Sequence, residues 1–349
     1  MTELSYVQST QLVDPVYIDV RSPSEYAEDH IPGAHNVPLL DDEQRRIVGT
    51  LYKEEGQDRA RSRGLELIQP ALEDKMAKIR RLGAGGTLVI YCWRGGMRSR
   101  SVASWMEEQG LTVHKLRGGY KEYRRQVVND LDGEMVFASL FSLYGLTGTG
   151  KTEILDQLNR RGVPVLDLER FANHRGSAFG AVGLGEQPTQ KTFETRLHEA
   201  LLQVPPGRMA VVEGESRKIG RIHIPPRFFE HLKSARRILI YDSVDNRIRR
   251  ITAEYTRKMD QDGLVRGVRA LERRLGRQRI ARMVEDIEAG RYEPVVRELL
   301  IRYYDPLYKH PDRPSDRYEA SVDGADPIQA AQAIEALIIR KEEEIFHVK

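Results

Sequence analysis

The run Gly145-Leu146-Thr147-Gly148-Thr149-Gly150-Lys151-Thr152 matches G-x-x-x-x-G-K-[ST] at every fixed position. It constrains the fold because such a loop works only between a strand and a helix. The apolar residues of 134–144 precede it and read as a strand. Residues 153–161 follow and read as a helix with Ile154, Leu155 and Leu158 on one face. In that setting backbone amides wrap a diphosphate, Lys151 meets its charge and Thr152 holds Mg²⁺. Gly145, Thr147, Gly148, Thr149, Gly150, Lys151 and Thr152 are the expected phosphate-binding residues. A chance match in a glycine-rich turn would leave the flanking strand and helix unexplained.

A second loop of similar logic surrounds Cys92, the single cysteine. Residues 87–91 form an apolar strand that stops at it, and Trp93-Arg94-Gly95-Gly96-Met97-Arg98-Ser99 follow. Gly95 and Gly96 let successive N–H groups turn inward as an anion cradle. The cations of Arg94 and Arg98 favour a thiolate at Cys92. The alternative is a buried structural cysteine, for which glycine and arginine neighbours are unusual.

At 349 residues the chain is long enough for two domains, and 40% hydrophobic residues suffice for ordinary cores. No apolar run reaches the ~20 residues of a membrane helix. The N-terminus lacks a basic-then-apolar signal pattern, so a cytoplasmic protein without a membrane partner is expected. One cysteine excludes an internal disulfide and a cysteine-based zinc site. The net charge of +3 decides little. Its distribution decides more: residues 264–282 hold seven arginines (266, 269, 273, 274, 277, 279, 282) against one acid, Glu272. A run of one sign points to a polyanion partner.

Along the chain, residues 1–128 form a first unit, 129–133 a linker and 134–349 a second unit. In the first, strands at 16–20, 87–91 and 111–116 alternate with helices at 24–30, 65–82 and 101–109, and 41–64 is a charged segment. Such alternation implies a parallel α/β sheet. In the second, strands follow at 163–167, 208–213 and 237–241, with a Gly-rich irregular segment at 172–190. An Arg-rich helical region spans about 245–310, with Leu264, Val268, Leu271, Leu275, Met283 and Ile287 as its apolar stripe. Asp326-Pro327 starts a last helix that runs to about 345.

With these residues in place, the first unit resembles a rhodanese domain. The resemblance rests on Asp19-Val-Arg21, Glu25-Tyr26, residues 30–38 (HIPGAHNVP) and Arg117-Gly-Gly-Tyr120. It implies sulfur carriage at Cys92, with Asp19 and Arg21 as a structural charge pair. A rhodanese unit joined to a P-loop unit resembles the tRNA 2-selenouridine synthases over essentially the whole chain. The most specific matches are residues 91–99, the loop 145–152, Asn173-His-Arg-Gly-Ser177 and Val212-Glu-Gly-Glu-Ser-Arg217. The resemblance implies a fold of class α/β: a rhodanese-like parallel-sheet domain, a P-loop NTPase-like domain and a helical C-terminal extension. It further implies a tRNA substrate met at its anticodon arm. The sulfur of a wobble 2-thiouridine is replaced by selenium from selenophosphate, with S-geranylation by geranyl diphosphate as an intermediate step. No tightly bound organic cofactor is expected, and Mg²⁺ is expected at Thr152.

In that chemistry the loop amides, Lys151 and Mg²⁺ stabilise a departing diphosphate. Cys92 either attacks selenophosphate, with Arg94 and Arg98 holding the phosphate, or only helps to bind it. Arg266, Arg269, Arg273, Arg274 and Arg277 are candidates for tRNA phosphate contacts. Asn173, His174 and Arg175 either face the ligand or serve the loop. Glu213, at a strand end, either sits near the metal or pairs with Arg217. Tyr303, Tyr304 and Tyr308 either stack bases or fill core. Two rivals remain: a Cys-x5-Arg phosphatase fused to a P-loop kinase for a small metabolite, and a non-catalytic sulfur carrier controlled by nucleotide.

Overall fold

The computed structural model describes residues 2–177, 179–257 and 260–347. Ala178, in the expected irregular segment, and Lys258 and Met259, in the expected helical region, lie outside the described residues. The chain divides into two compact units, Met1–Asp130 and Leu131–Lys349. Both are α/β with parallel main sheets, and the second carries a helical C-terminal region.

The first unit holds β1 (Thr2–Leu4), β2 (Pro15–Asp19), β3 (His35–Asn36), β4 (Thr87–Tyr91) and β5 (Val113–Leu116). They pair in the order β1-β5-β4-β2-β3, parallel throughout. Chain order reverses around β4, so its carboxyl end opens at a switch point of the sheet, where α/β proteins place ligands. Cys92 follows that end. Ile18, Val20, Leu88 and Ile90 of the sheet and Val102, Ala103 and Met106 of the helix Met97–Glu108 fill the core, together with Cys92.

Three expectations for this unit change. The helix after Cys92 starts at Met97 rather than at 101, so Arg98 belongs to its first turn and not to a loop. The helix expected over 65–82 is two: Gln57–Ile68 and Leu72–Leu82, with a 3-10 turn at Gln69–Ala71. Pro70 causes the break, since it has no N–H to donate and its ring clashes with the preceding turn. The charged segment is also ordered, largely as the helix Asp42–Glu54 capped by Asp41. The last helix of the unit, Gly119–Asn129, continues into Asp130–Glu134, a segment kinked at the non-helical Gly133 that includes most of the expected linker.

The second unit holds β6 (Leu140–Tyr144), β7 (Val165–Leu166), β8 (Ala210–Glu213), the hairpin β9 (Lys218–Ile219) and β10 (Ile222–His223), β11 (Arg236–Tyr241) and β12 (Ala320–Asp323). Its main sheet has the order β12-β11-β6-β8-β7, again parallel. β6 is central, and chain order reverses across it. The loop after β6 therefore emerges at the second switch point. The strand starts at Leu140 and not at 134, and Val136 is exposed. Ile154, Leu155 and Leu158 lie inward as expected, against Ala330, Ala331, Ile334 and Ile338 of the last helix, Pro327–His347. Asp326 caps that helix by accepting from Ile328 N at 2.9 Å. A second core joins Val268, Leu271, Leu275, Met283 and Ile287 to Val295, Val296, Leu299 and Tyr304.

Candidate active site

The cysteine loop is held from below. Asp19 and Arg21 form a fully buried ion pair at 2.6 Å, and Arg21 also donates to Asp29 O at 2.7 Å. The Arg21 guanidinium lies 3.9 Å from the Tyr120 ring centroid, and the Tyr120 hydroxyl donates to Asp29 at 2.7 Å. Tyr120 N in turn donates to Cys92 O at 2.9 Å, and Lys121 N to Trp93 O at 2.9 Å. The chain can come this close only because residue 119 is glycine, at φ +60°. A Cβ there would lie 2.2 Å from Cys92 O. The pair of Asp19 and Arg21 is structural, as expected, and its support reaches the loop through Tyr120.

The loop itself is closed. Cys92 is 3% exposed, with Sγ 3.3 Å from Ser99 Oγ. Gly95 is buried, and its carbonyl accepts from Lys115 Nζ at 2.9 Å. Gly96 caps the following helix and is exposed. Arg98 turns to Glu25 at 3.0 Å, while Arg94 is exposed. Burial raises Glu25, but Arg98 more than offsets this and holds it below the ordinary glutamate range. The expected pair of free arginine cations is thus reduced to Arg94, because Glu25 takes the charge of Arg98. Glu25 and Ser99 are the site neighbours that spacing alone did not single out.

The phosphate loop is open. Gly148 and Gly150 take φ of +81° and +86°, conformations that favour glycine. The helix Lys151–Arg160 starts at the lysine. Thr149 is buried, its hydroxyl donating to Leu146 O at 3.0 Å. Lys151 Nζ donates to Gly145 O at 2.9 Å and Leu146 O at 3.2 Å. Burial lowers the Lys151 pKa, and Glu169, Glu215 and Glu213 oppose the shift. Two arginines of the helix Val244–Arg257 brace the loop, and Arg250 also lines the cavity before it. Arg247 donates to Thr147 O at 2.8 Å and pairs with Asp305 at 2.5 Å. Arg250 donates to Gly148 O at 2.6 Å and pairs with Asp242 and Glu153. Their i, i+3 spacing was the available signal, although such a pattern usually reads as a solvated face.

The loop opens on a cavity of ≈950 Å³. Gly145, Thr147, Gly148, Thr149, Gly150, Lys151 and Thr152 form one wall, and Glu169 and Glu215, whose charges act on Lys151, also line the cavity. The helical region supplies an apolar wall that includes Leu264, Val268, Val295, Val296 and Leu299. Aromatic rings run along the cavity: Tyr144 is 5.5 Å from His310, His310 6.4 Å from Tyr308, and Tyr308 6.3 Å from Tyr304. Asn173, His174 and Arg175 also line it. They serve the loop as well. Asn173 takes φ +47° and donates to Gly185 O and Glu186 O, His174 accepts from Gly176 N, and Arg175 donates to Val182 O. Tyr304 is buried in the core, while Tyr308 is 38% exposed.

Glu213 does not pair with Arg217, but its charge acts on Lys151, beside Thr152. It is buried, it accepts from Leu168 N at 3.0 Å, and Arg217 is exposed. Burial holds its carboxyl well above the ordinary range, and Asp167 adds to the shift. It braces the start of the helix Leu168–Ala172 by the bond from Leu168 N. Thr152 is exposed at the cavity wall, where one hydroxyl ligand to a Mg²⁺ shared with phosphate oxygens and water fits. No cluster of three or more His, Cys, Asp or Glu suited to a metal occurs among the described residues, so an all-protein metal cage is not part of this site.

The basic region is not one helix but three: Gln261–Arg269, Glu272–Leu275 and Arg277–Glu288. Gly276, at φ +85°, turns the chain between the last two. Arg266, Arg269, Arg273, Arg274, Arg277, Arg279 and Arg282 are all exposed. Arg269, Arg273 and Arg277 share one shallow depression with Glu272.

Comparison with known proteins agrees with this two-part layout. A family model described as a rhodanese-like domain matches residues 5–126, and one described as a tRNA 2-selenouridine synthase AAA domain matches 138–331. A protein of Nitrosomonas eutropha named tRNA 2-selenouridine synthase is 33% identical over 342 residues, covering 84% of this chain and 88% of its own. One of the same name from Pseudomonas syringae pv. syringae is 34% identical, covering 86% and 89%. Another, from a Shewanella species, is 33% identical, covering 84% and 86%. No helix among the described residues is long and apolar enough to cross a membrane.

Proposed function

The chain belongs to the tRNA 2-selenouridine synthase family, and on that premise we propose that it is a cytoplasmic enzyme that replaces the sulfur of a wobble 2-thiouridine in tRNA with selenium. In this reading geranyl diphosphate first alkylates the sulfur, and selenophosphate then supplies the selenium. The observation that carries the reading is the two-sided cavity, with a phosphate loop on one wall and an apolar wall from the helical region. A nucleotide needs the first wall and has little use for so much of the second. A prenyl diphosphate uses both.

Alkylation forms a C–S bond and breaks the C–O bond to diphosphate, which departs with the bonding pair. Loop amides and Lys151 stabilise that charge without reorganising. Mg²⁺ at Thr152 would add charge neutralisation. The alkylated sulfur then leaves C2 as a thiol far more readily than a free thiocarbonyl sulfur does. At the other loop, Cys92 would help to bind selenophosphate, whose P–Se bond breaks to release selenium at the selenide level and phosphate; the exposed Arg94 and Gly96 offer the phosphate a first contact. The exposed arginines of 266–277 would hold tRNA phosphates, which position the RNA without reading its sequence.

The test uses the full chain, an anticodon stem-loop bearing 2-thiouridine, and geranyl diphosphate, with nucleosides analysed by mass spectrometry. Wild type is expected to add a geranyl group, and Lys151→Ala to lose at least about 10²-fold in rate, the scale of one removed charge-stabilising donor. ATP turnover without alkylation, or an undiminished Lys151→Ala, would overturn the assignment of the phosphate loop to a prenyl diphosphate.

A further inference from the structure

Alkylation of the thiouridine leaves one proton to account for. The substrate carries a proton on N3, whereas in the S-alkylated product N3 is double-bonded to C2 and carries none. As the C–S bond forms and diphosphate leaves, a base must accept that proton. From the geometry of the cavity we propose that Glu215, paired with Glu169, is this base. The proposal rests on the alkylation reading above.

Glu169 comes from the first turn of the helix Leu168–Ala172, and Glu215 follows the end of β8 by two residues. Both line the cavity, and the charges of both act on Lys151 of the phosphate loop. Their carboxyl groups converge on Gly176, which takes φ +63°. A Cβ on Gly176 would lie 2.8 Å from Glu169 Oε1 and 2.9 and 3.0 Å from the two oxygens of Glu215. The positive φ favours glycine there, and a side chain would also push the two carboxyls aside. Two carboxyls so close cannot both ionise at neutral pH, so they share a proton.

The surroundings say which one keeps it. Burial, then the charge of Glu215, push Glu169 up to about 8. Burial also raises Glu215, and Lys151, the bond from Glu169 and the amide of Ser216 oppose that rise without cancelling it. Of the two, Glu215 has the surroundings that favour the carboxylate, with Glu169 as the donor to it. The other titratable groups around the pair are Asp167 and Glu213, and Tyr308 and His310 on the aromatic side. Tyr308 is raised to about 12 and stays neutral; His310 is lowered to about 4 by burial and by Lys151, which makes it a poor base. His174 is also lowered by burial, and its Nδ1 is engaged by Gly176 N. After taking the N3 proton both carboxyls are neutral, so negative charge beside the departing diphosphate falls as the reaction proceeds.

The full chain is assayed for geranyl transfer to the thiouridine stem-loop across pH, with geranyl diphosphate binding followed by calorimetry. Glu215→Gln is expected to bind geranyl diphosphate as wild type does and to lose about 10²-fold in kcat at neutral pH, the lower range for a general base. The deficit should narrow at alkaline pH, where N3 gives up its proton without help. Glu169→Gln keeps a donor to Glu215 and should stay within about tenfold of wild type. A Glu215→Gln variant at the wild-type rate, or a deficit constant across pH, or one explained by weaker diphosphate binding, overturns the proposal while wild-type transfer keeps the alkylation reading intact. Failure of wild type itself to transfer geranyl overturns both.

Discussion

The two loops of this protein are built alike and end differently. Each follows the central strand of a parallel sheet at a switch point, each turns on glycine, and each leads into a helix. At Cys92 the neighbours close inward: Tyr120 N and Lys121 N take the loop carbonyls, Lys115 takes Gly95, and Glu25 takes Arg98. At Lys151 the brace comes through Arg247 and Arg250, which hold loop carbonyls and leave the loop lining the cavity. The same architecture thus yields a tight seat for a small group at one switch point and a large two-sided site at the other. The difference arises from where each loop's polar groups find partners, not from the motif.

The comparison predicts a separation of activities, and Cys92→Ser tests it most severely. If the small seat handles selenium and the cavity handles the prenyl group, this variant should lose selenium incorporation while geranyl transfer stays at the wild-type rate. Both are read from one reaction by mass spectrometry of the nucleosides. A hydroxyl in place of the buried thiol, beside Ser99 Oγ, should cost no more than about 1–3 kcal/mol. A thermal midpoint therefore accompanies the assay. Near-normal selenation would remove Cys92 from the chemistry and make its loop purely structural.

A smaller effect concerns how the closed loop is kept shut. Gly119→Ala adds a Cβ that collides with Cys92 O, at a positive φ. A cost of roughly 3 kcal/mol or more is expected, from strain at a special backbone position. Gly96→Ala, in the same site, meets nothing within 4 Å and has a negative φ, and should stay within about 0.5 kcal/mol. Denaturant unfolding of the two variants measures the contrast. Equal stabilities would mean that the loop yields easily and that the closed seat is not enforced by packing.

The frame of both loops was legible because it is local. A phosphate-loop pattern between an apolar strand and an amphipathic helix leaves few alternatives, and the same holds for the strand that stops at Cys92. What escaped was short or brought together from afar. β1 and β12 are edge strands of three and four residues without an alternating apolar pattern. The split at Pro70 was visible as a residue but was overridden by the apolar spacing around it. Glu169 and Glu215 lie in different segments and become neighbours only when β7 and β8 pair, with Gly176 passing between the loops that follow them. Arg98 was read as a free cation because nothing in its own segment announces Glu25. Periodicity reports which face of an element is buried; it does not report which charged partner arrives from another element.

The smallest expected effect concerns the basic surface of the second unit, where the open site would need RNA delivered to it. Arg273, Arg274 and Arg277 are exposed, while the neighbouring Leu271 and Leu275 are buried, so the three can be changed without removing a core side chain. Arg274 also lies 5.5 Å from the Tyr303 ring centroid, a contact worth about 0.5–1 kcal/mol at an exposed site. Their joint replacement by Ala should therefore lower stability only slightly. If all three meet phosphates, the slope of log K against log salt for tRNA binding should fall by about 0.7–0.9 per contact. Affinity should drop nearly equally for tRNAs of different sequence, because phosphate contacts carry no base information. Filter binding of two unrelated tRNAs at several salt concentrations gives both quantities. A lowered unfolding midpoint with unchanged affinity and slope would assign these arginines to stability and move the RNA surface elsewhere. A loss confined to one tRNA would mean that they read bases and do not merely hold the backbone.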